Sequence, residues 1–253
     1  MNFTTRLYRK SDEERIIHLL EIVFGNWPSF DLECTKKEHW TWKMVETPTG
    51  INPTVVTETE DGRIIGVTQG VFKNTKIGYN VYLIRKGAEL AVHPDFRRLG
   101  VSKLCRSLRK NITMDNDAVM TYNLTSNRIL IDRNENRSDE NRSPEFPHPL
   151  RQMVRIRNID RFLRYYTKRK DIPLHRSILI SVGYRLLNFT RMIGNLGHLR
   201  SQKAEDVKIR KIDRFDDKID FFWENIKEYY DWISVKSKDF LNWRYCDIRG
   251  GSY

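Results

Sequence analysis

Apolar residues near the start of the chain recur at helical spacing. Ile16, Ile17, Leu20 and Phe24 share one face, and Ser11 with Glu14 forms a capping-box pattern ahead of them. Leu7 to Arg9 reads as the beginning of a strand before that helix. A second capping box, Thr35 with Glu38, opens a short helix through Trp40, Trp42, Lys43 and Met44, which Pro48 and Gly50 close. The period then changes to that of strands. In PTVVTETEDGRIIGVTQGVF, Asp61-Gly62 separates two β-rich runs, and these two residues tolerate the positive φ of a tight hairpin.

A further strand ends at Leu90, Ala91 and Val92, because Pro94 lacks the N–H that a ladder needs. Beyond it Gly100 removes a side chain where a ligand would approach, and a helix begins at once. Val101, Leu104, Cys105 and Leu108 form its expected core face, with Lys103, Arg106, Arg109 and Lys110 outward. The unpaired amides and positive dipole end of such a helix start suit a phosphate, and Arg97, Arg98 and Lys103 add charge there.

Arg97-x-x-Gly100-x-Ser102, after AVHPDF and before an amphipathic helix, resembles the acyl-CoA loop of the N-acetyltransferase (GNAT) superfamily, usually Q/R-x-x-G-x-G/A. Ser102 departs from the last small position. The preceding order of strand, two helices, Asp-Gly hairpin and strand is the order that family places before its loop. The resemblance implies an α/β (α+β) fold with a mixed, mostly antiparallel central sheet flanked by helices. It also implies acetyl-CoA or another acyl-CoA as co-substrate, no metal, and an amine-bearing acceptor. Residues 97–103 (Arg97, Arg98, Leu99, Gly100, Val101, Ser102, Lys103) would then hold the pyrophosphate and Leu90, Ala91 and Val92 the pantetheine arm. Asn127 resembles the polar residue that starts the family's next cofactor-contacting segment. The Tyr-x-x-x-Gly-Phe that usually follows, and often supplies the thiolate's proton donor, is absent from RILIDRNENRSDENRSPEF.

Acyl transfer to an amine needs a base and a donor for the thiolate. Glu89, at the head of the cofactor strand, is the first candidate base, with a solvent-facing strand residue as the plainer alternative. His93 is a second candidate base. Tyr122 is the candidate acid on the next strand, against an ordinary packed aromatic. Trp27, Trp40 and Trp42 suit either a cleft mouth or a core.

Composition adds four constraints. Apolar residues at 39% and charged residues at 31% describe a folding chain. Cys34, Cys105 and Cys246 lie far apart, without the spacing of a zinc site or a disulfide framework. The N-terminus lacks a signal-peptide core, and no stretch approaches the ~18 apolar residues of a membrane span, so a cytoplasmic location is expected. The net charge of +12 is concentrated in 151–203, where thirteen Lys or Arg face two acidic residues. That block could meet an anionic surface or nucleic acid, and a solvated face is the bland alternative. Within it, Leu179, Val182, Leu186, Phe189, Ile193 and Leu196 predict an amphipathic helix.

The chain also echoes itself. An offset of 201 places Arg9-Lys10 on Arg210-Lys211, Asp12 on Asp213, Lys37 on Lys238, Trp42 on Trp243 and Gly50 on Gly251. The expected organisation is a GNAT-like domain over 1–150, a basic helical connection over 151–206, and the opening of a second similar unit over 207–253, either in a fragment of a tandem protein, the favoured reading, or in a chain with a vestigial second half. The leading functional expectation is an N-acyltransferase. The alternatives are a non-catalytic binding module of the same fold, or a basic protein that binds nucleic acid or an anionic membrane surface.

Overall fold

The computed structural model describes residues 2–30, 32–125, 128–136 and 210–251, with the isolated positions 138, 144, 182 and 183. Met1–Arg133 together with Ile212–Tyr253 form one compact unit, and Asn134–Lys211 form another. The basic block, its amphipathic helix and Asn127 fall largely or wholly outside the described residues.

Strands rich in β-branched residues build the sheet of the first unit. Its strands are β1 (Phe3–Leu7), β2 (Val55–Thr59), β3 (Ile64–Ile77), β4 (Asn80–Val92) and β5 (Met120–Tyr122), hydrogen-bonded in that order. All pairs along this path are antiparallel except β4 with β5, which run parallel. The Asp61-Gly62 turn joins β2 to β3 as expected, with Gly62 at φ 80°. β3 is longer than its partner. β2 covers only its first part, from Ile64 to Thr68, and leaves an edge open farther along. There β6 (Trp232–Ser234) pairs antiparallel with Thr75–Ile77.

The helices bury one stripe each. α1 (Glu13–Phe24) and α2 (Lys36–Met44) cover one sheet face, where Ile16, Leu19, Leu20, Trp40 and Met44 pack on Val56, Val67 and Ala91. α3 (Val101–Asp115) covers the other, with Val101 and Cys105 against Val55 and Ile65. Gly66 permits that approach: a Cβ there would lie 2.4 Å from Val101 Cγ1. The described chain then continues into α4 (Arg128–Glu135), and later into α5 (Lys218–Ile226), β6 and α6 (Lys238–Leu241).

Four local expectations are corrected. The first strand is Phe3–Leu7, not Leu7–Arg9, because Thr4, Thr5 and Arg6 pair with β2 and the chain turns after Leu7. The Ser11–Glu14 capping box does not form. Asp12 is the N-cap, but its carboxylate is taken by Arg6 (2.6 Å), Arg15 (2.5 Å) and the Arg9 amide (2.8 Å), while Ser11 sits at φ 90°. Phe24, in the last turn of α1, is 45% exposed. Leu104 is likewise exposed, because the α3 stripe in contact with the sheet runs through Val101, Cys105 and Leu108. The Thr35–Glu38 box forms in full.

The stretch 212–251 lies against the α1/α2 side of the same unit. Trp42 and Trp243 stack at 4.9 Å with an interplanar angle of 23°. The His39 ring Nδ1 lies 2.6 Å from the Arg249 carbonyl, and Gly250 leaves room for the Trp42 ring, which an added Cβ would meet at 2.7 Å. Trp40 and Trp42 are thus core residues. Among the described residues, no helix is long and apolar enough to cross a membrane.

Candidate functional site

The turn after β4 has the shape that its sequence demands. His93 precedes a short 3-10 turn, Pro94–Phe96, and its Nε2 accepts from Arg63 Nη2 at 2.6 Å. The His93 ring is buried beside the turn. Arg98 (φ 67°) and Gly100 (φ 83°) take left-handed conformations that swing the chain into α3. Lys103 and Leu104 are the first amides of the helix to reach a carbonyl, both that of Gly100, at 2.8 and 3.1 Å. The preceding amides have no helical partner, as at any helix start. A Cβ on Gly100 would meet nothing within 4 Å, so the turn faces open space. Val101 is inserted into the core and fixes the loop, whereas Leu99 is exposed.

β5 pairs with β4 only at Ile84, Arg85 and Lys86, and β4 then continues alone to Val92. Among the described residues, the edge of 87–92 away from β3 has no strand partner, and it leads directly to the loop. Leu90, Ala91 and Val92 lie on this stretch, with Ala91 buried against the α1/α2 core. Tyr122 is the last paired residue of β5, opposite Lys86, at the point where the strands part. Burial pushes its hydroxyl upward, so it stays protonated at neutral pH.

A bulge at the same level aims Glu89. The β3–β4 register passes from Thr68↔Leu90 to Gly70↔Gly87, so Gln69, Ala88 and Glu89 fall in the irregular step. Glu89 accepts from Lys43 Nζ and from Trp27 Nε1 (3.1 Å). In the amide orientation that satisfies both of its ends, Gln69 donates to Glu89 Oε2 at 3.3 Å and accepts from Trp40 Nε1 at 2.6 Å. Burial alone would raise the Glu89 carboxyl. The Lys43 charge and hydrogen bond, with the Trp27 bond, outweigh it and hold the group below the usual carboxylate range. Glu89 is thus a fixed carboxylate. Lys43, its counter-ion, was not signalled by any motif, although Trp42-Lys43 is the dipeptide that aligns with Trp243-Arg244 in the internal echo.

Next to this pair lies a group of cations that sequence reasoning misses. Lys73 on β3 and Lys86 on β4 are diagonal neighbours, since Val71 is the residue opposite Lys86. Beyond β6 the chain runs antiparallel to β3, with the Val235 amide on the Asn74 carbonyl at 2.9 Å, which brings Lys236 level with Lys73. Both ammonium groups stand over the Phe240 ring, at 5.5 and 5.4 Å. Burial, then repulsion from Lys86, Lys236 and Arg244, lowers Lys73 to about 8. Burial and neighbouring cations, Arg244 among them, also lower Lys86 and Lys236.

No protein-family model and no curated protein matches the sequence. Solved structures do. An acetyltransferase from Trypanosoma brucei is similar at 17% identity over 61% of this chain and 99% of its own, with a TM-score of 0.45. Glucosamine-6-phosphate N-acetyltransferase from Arabidopsis thaliana is similar at 15% identity over 62% of this chain and 100% of its own, with a TM-score of 0.43. A GNAT family acetyltransferase from Staphylococcus aureus is similar at 15% identity over 61% and 100%, with a TM-score of 0.40. At such identities no residue role passes from these proteins to this one. In its element order, its mixed, mostly antiparallel sheet flanked by helices, and the parting of β4 from β5 beside the start of α3, the chain has the architecture expected from its sequence.

Proposed function

We propose that this chain transfers an acyl group, most simply acetyl, from acyl-CoA to an amine-bearing acceptor. One observation carries the proposal: the β4 edge at 87–92, which has no strand partner among the described residues, runs straight into the left-handed turn and helix start at 98–103. An extended arm with amide groups matches a free strand edge, and a diphosphate matches unpaired amides flanked by Arg97, Arg98 and Lys103. Leu90, Ala91 and Val92 take the pantetheine arm, and 97–103 the pyrophosphate. Asn127 is assigned its cofactor contact by resemblance alone.

In the transfer the acceptor nitrogen attacks the thioester carbon, the carbon–sulfur bond breaks, and the thiolate leaves with a proton. Tyr122, protonated and placed where the strands part, is the proposed donor. Glu89 is the proposed acceptor of the amine's proton, directly or through water. With its affinity for protons held low, it takes the proton from the acidic ammonium that forms on attack rather than from the free amine. The ammonium groups around Lys73 assist, because a positive field favours the neutral form of an incoming amine.

A second reading is a binding module of the same fold without turnover. The saturation of Glu89 by Lys43, Trp27 and Gln69 favours it. Release of free thiol from acetyl-CoA across a panel of primary amines separates the two. Amine-dependent release that falls in Tyr122→Phe supports the enzyme; bound acetyl-CoA without release supports the module. The polyanion-binding alternative rests on 151–203. In this account 212–251 supplies the opening elements of a second similar unit.

A further inference from the structure

Five cationic side chains come together on the α1/α2 face of the sheet: Lys43, Lys73, Lys86, Lys236 and Arg244. Glu89 neutralises one of them, Lys43. Lys73, Lys86 and Lys236 make no ion pair among the described residues, and each is partly buried. Three ammonium groups held together in partial burial are costly, since desolvation and mutual repulsion both disfavour the charge. Nothing in the strands requires lysine there; Val or Thr would suit β3 and β4 better.

The placement is directional. Across the sheet the order is Tyr122 on β5, Lys86 on β4, Lys73 on β3, then Lys236 beyond β6. Tyr122 and Glu89 mark where the strands part, and the ammonium groups extend from there along one face. They are separate from the cationic loop at 97–103, which adjoins the far end of β4. An anion bound among them would sit on the acceptor side of the thioester, not on the cofactor side.

We propose that the acceptor is an amine carrying a phosphate group, received by Lys73, Lys86 and Lys236 beside Arg244. This rests on the acyltransferase reading above. A phosphate dianion offsets more of the repulsion than a single carboxylate, and flexible lysines serve as point charges for it. Two of the four cations, Lys236 and Arg244, come from the C-terminal stretch. That stretch therefore completes the acceptor pocket of the first unit.

The test uses the full chain in thermal unfolding, with inorganic phosphate as probe and chloride balancing ionic strength. Three proteins are compared: the parent, Lys73→Met/Lys236→Met, and Gly100→Asp. At ten times its dissociation constant phosphate should raise the midpoint of the parent and of Gly100→Asp by about 3–5 °C. The double variant should lose that shift, and Lys73→Gln alone should show a smaller one. A phosphate shift that persists undiminished in the double variant overturns the proposal. Titration of the same proteins with acetyl-CoA is read separately. Binding by the parent and double variant but not by Gly100→Asp supports the cofactor site, and its absence in all three sinks the enzyme reading while leaving the phosphate result to stand. O-phosphoethanolamine should displace phosphate better than β-alanine or ethanolamine. Equal or better displacement by β-alanine would replace phosphate with carboxylate.

Discussion

Trp42 and Trp243 donate to each other's main chain: Trp42 Nε1 to the Trp243 carbonyl at 2.9 Å, and Trp243 Nε1 to the Trp42 carbonyl at 3.1 Å. Reciprocal bonds of this kind are what a two-fold axis produces at an isologous contact. The two residues are also those that the offset of 201 superposes. A second unit meeting the first about a local two-fold axis would account for both facts.

The pair should behave as one stabilising element. Trp42 is fully packed, so Trp42→Ala is expected to cost about 3–5 kcal/mol in urea unfolding of the full chain. Trp243→Ala should cost less alone. A double-mutant cycle should show coupling of about 1–2 kcal/mol, from the stack and the paired bonds together. Additive effects would show that the contact is incidental.

Gly66 gives Val101, in the proposed cofactor loop, room to pack on the sheet. Gly66→Ala brings a Cβ against Val101 and must push back the start of α3. The expected cost is about 1–3 kcal/mol of stability. Acetyl-CoA affinity should fall as well, although no loop residue is altered. Unchanged affinity in a measurably destabilised variant would uncouple Val101 from the site.

Lys73 gives stability an unusual pH dependence. Its folded value, about 8, lies below that of the unfolded lysine, so its charge opposes folding at and below that pH. As pH rises from about 8 toward 10 the folded protein sheds the proton first, and stability should climb by this contribution. Lys73→Met should flatten that rise. At pH 7 it should stabilise the chain by about 1–2 kcal/mol, after solvent screening of a partly exposed ammonium. Destabilisation at pH 7 would contradict the view that Lys73 is retained for a ligand.

Glu89 has the opposite sign. Its carboxyl is held below the unfolded value, so its contribution is complete above pH ~4.3 and is lost as pH falls through the lower folded value. Glu89→Gln leaves Lys43 without its carboxylate and should cost about 2–4 kcal/mol at pH 7. Adding Lys43→Met should restore much of it. If it does not, Glu89 is held by the Trp27 and Gln69 contacts rather than by the charge pair.

Features set by short-range chemistry were legible in the sequence. The Asp61-Gly62 hairpin, the Thr35–Glu38 box and the end of β4 before Pro94 each depend on residues a few positions apart, and each appears as expected. Features set by distant partners were not. Ser11 lost its capping role because Arg6, itself tied to Glu58 across β1 and β2, draws Asp12 away. Glu89 was identifiable as a carboxylate near the cofactor strand, but its counter-ion on α2 was not. The ammonium cluster exists only because β3, β4 and the C-terminal stretch align, and no local pattern brings Lys236 level with Lys73.

The most direct measurement is calorimetric titration of the full chain with acetyl-CoA, beside Gly100→Asp, which places a side chain and a negative charge at a left-handed turn with open space before it. The account predicts saturable binding near one equivalent in the parent, with loss of at least tenfold in affinity in a folded Gly100→Asp. Absence of binding by the folded parent, or equal binding by both proteins, would contradict it.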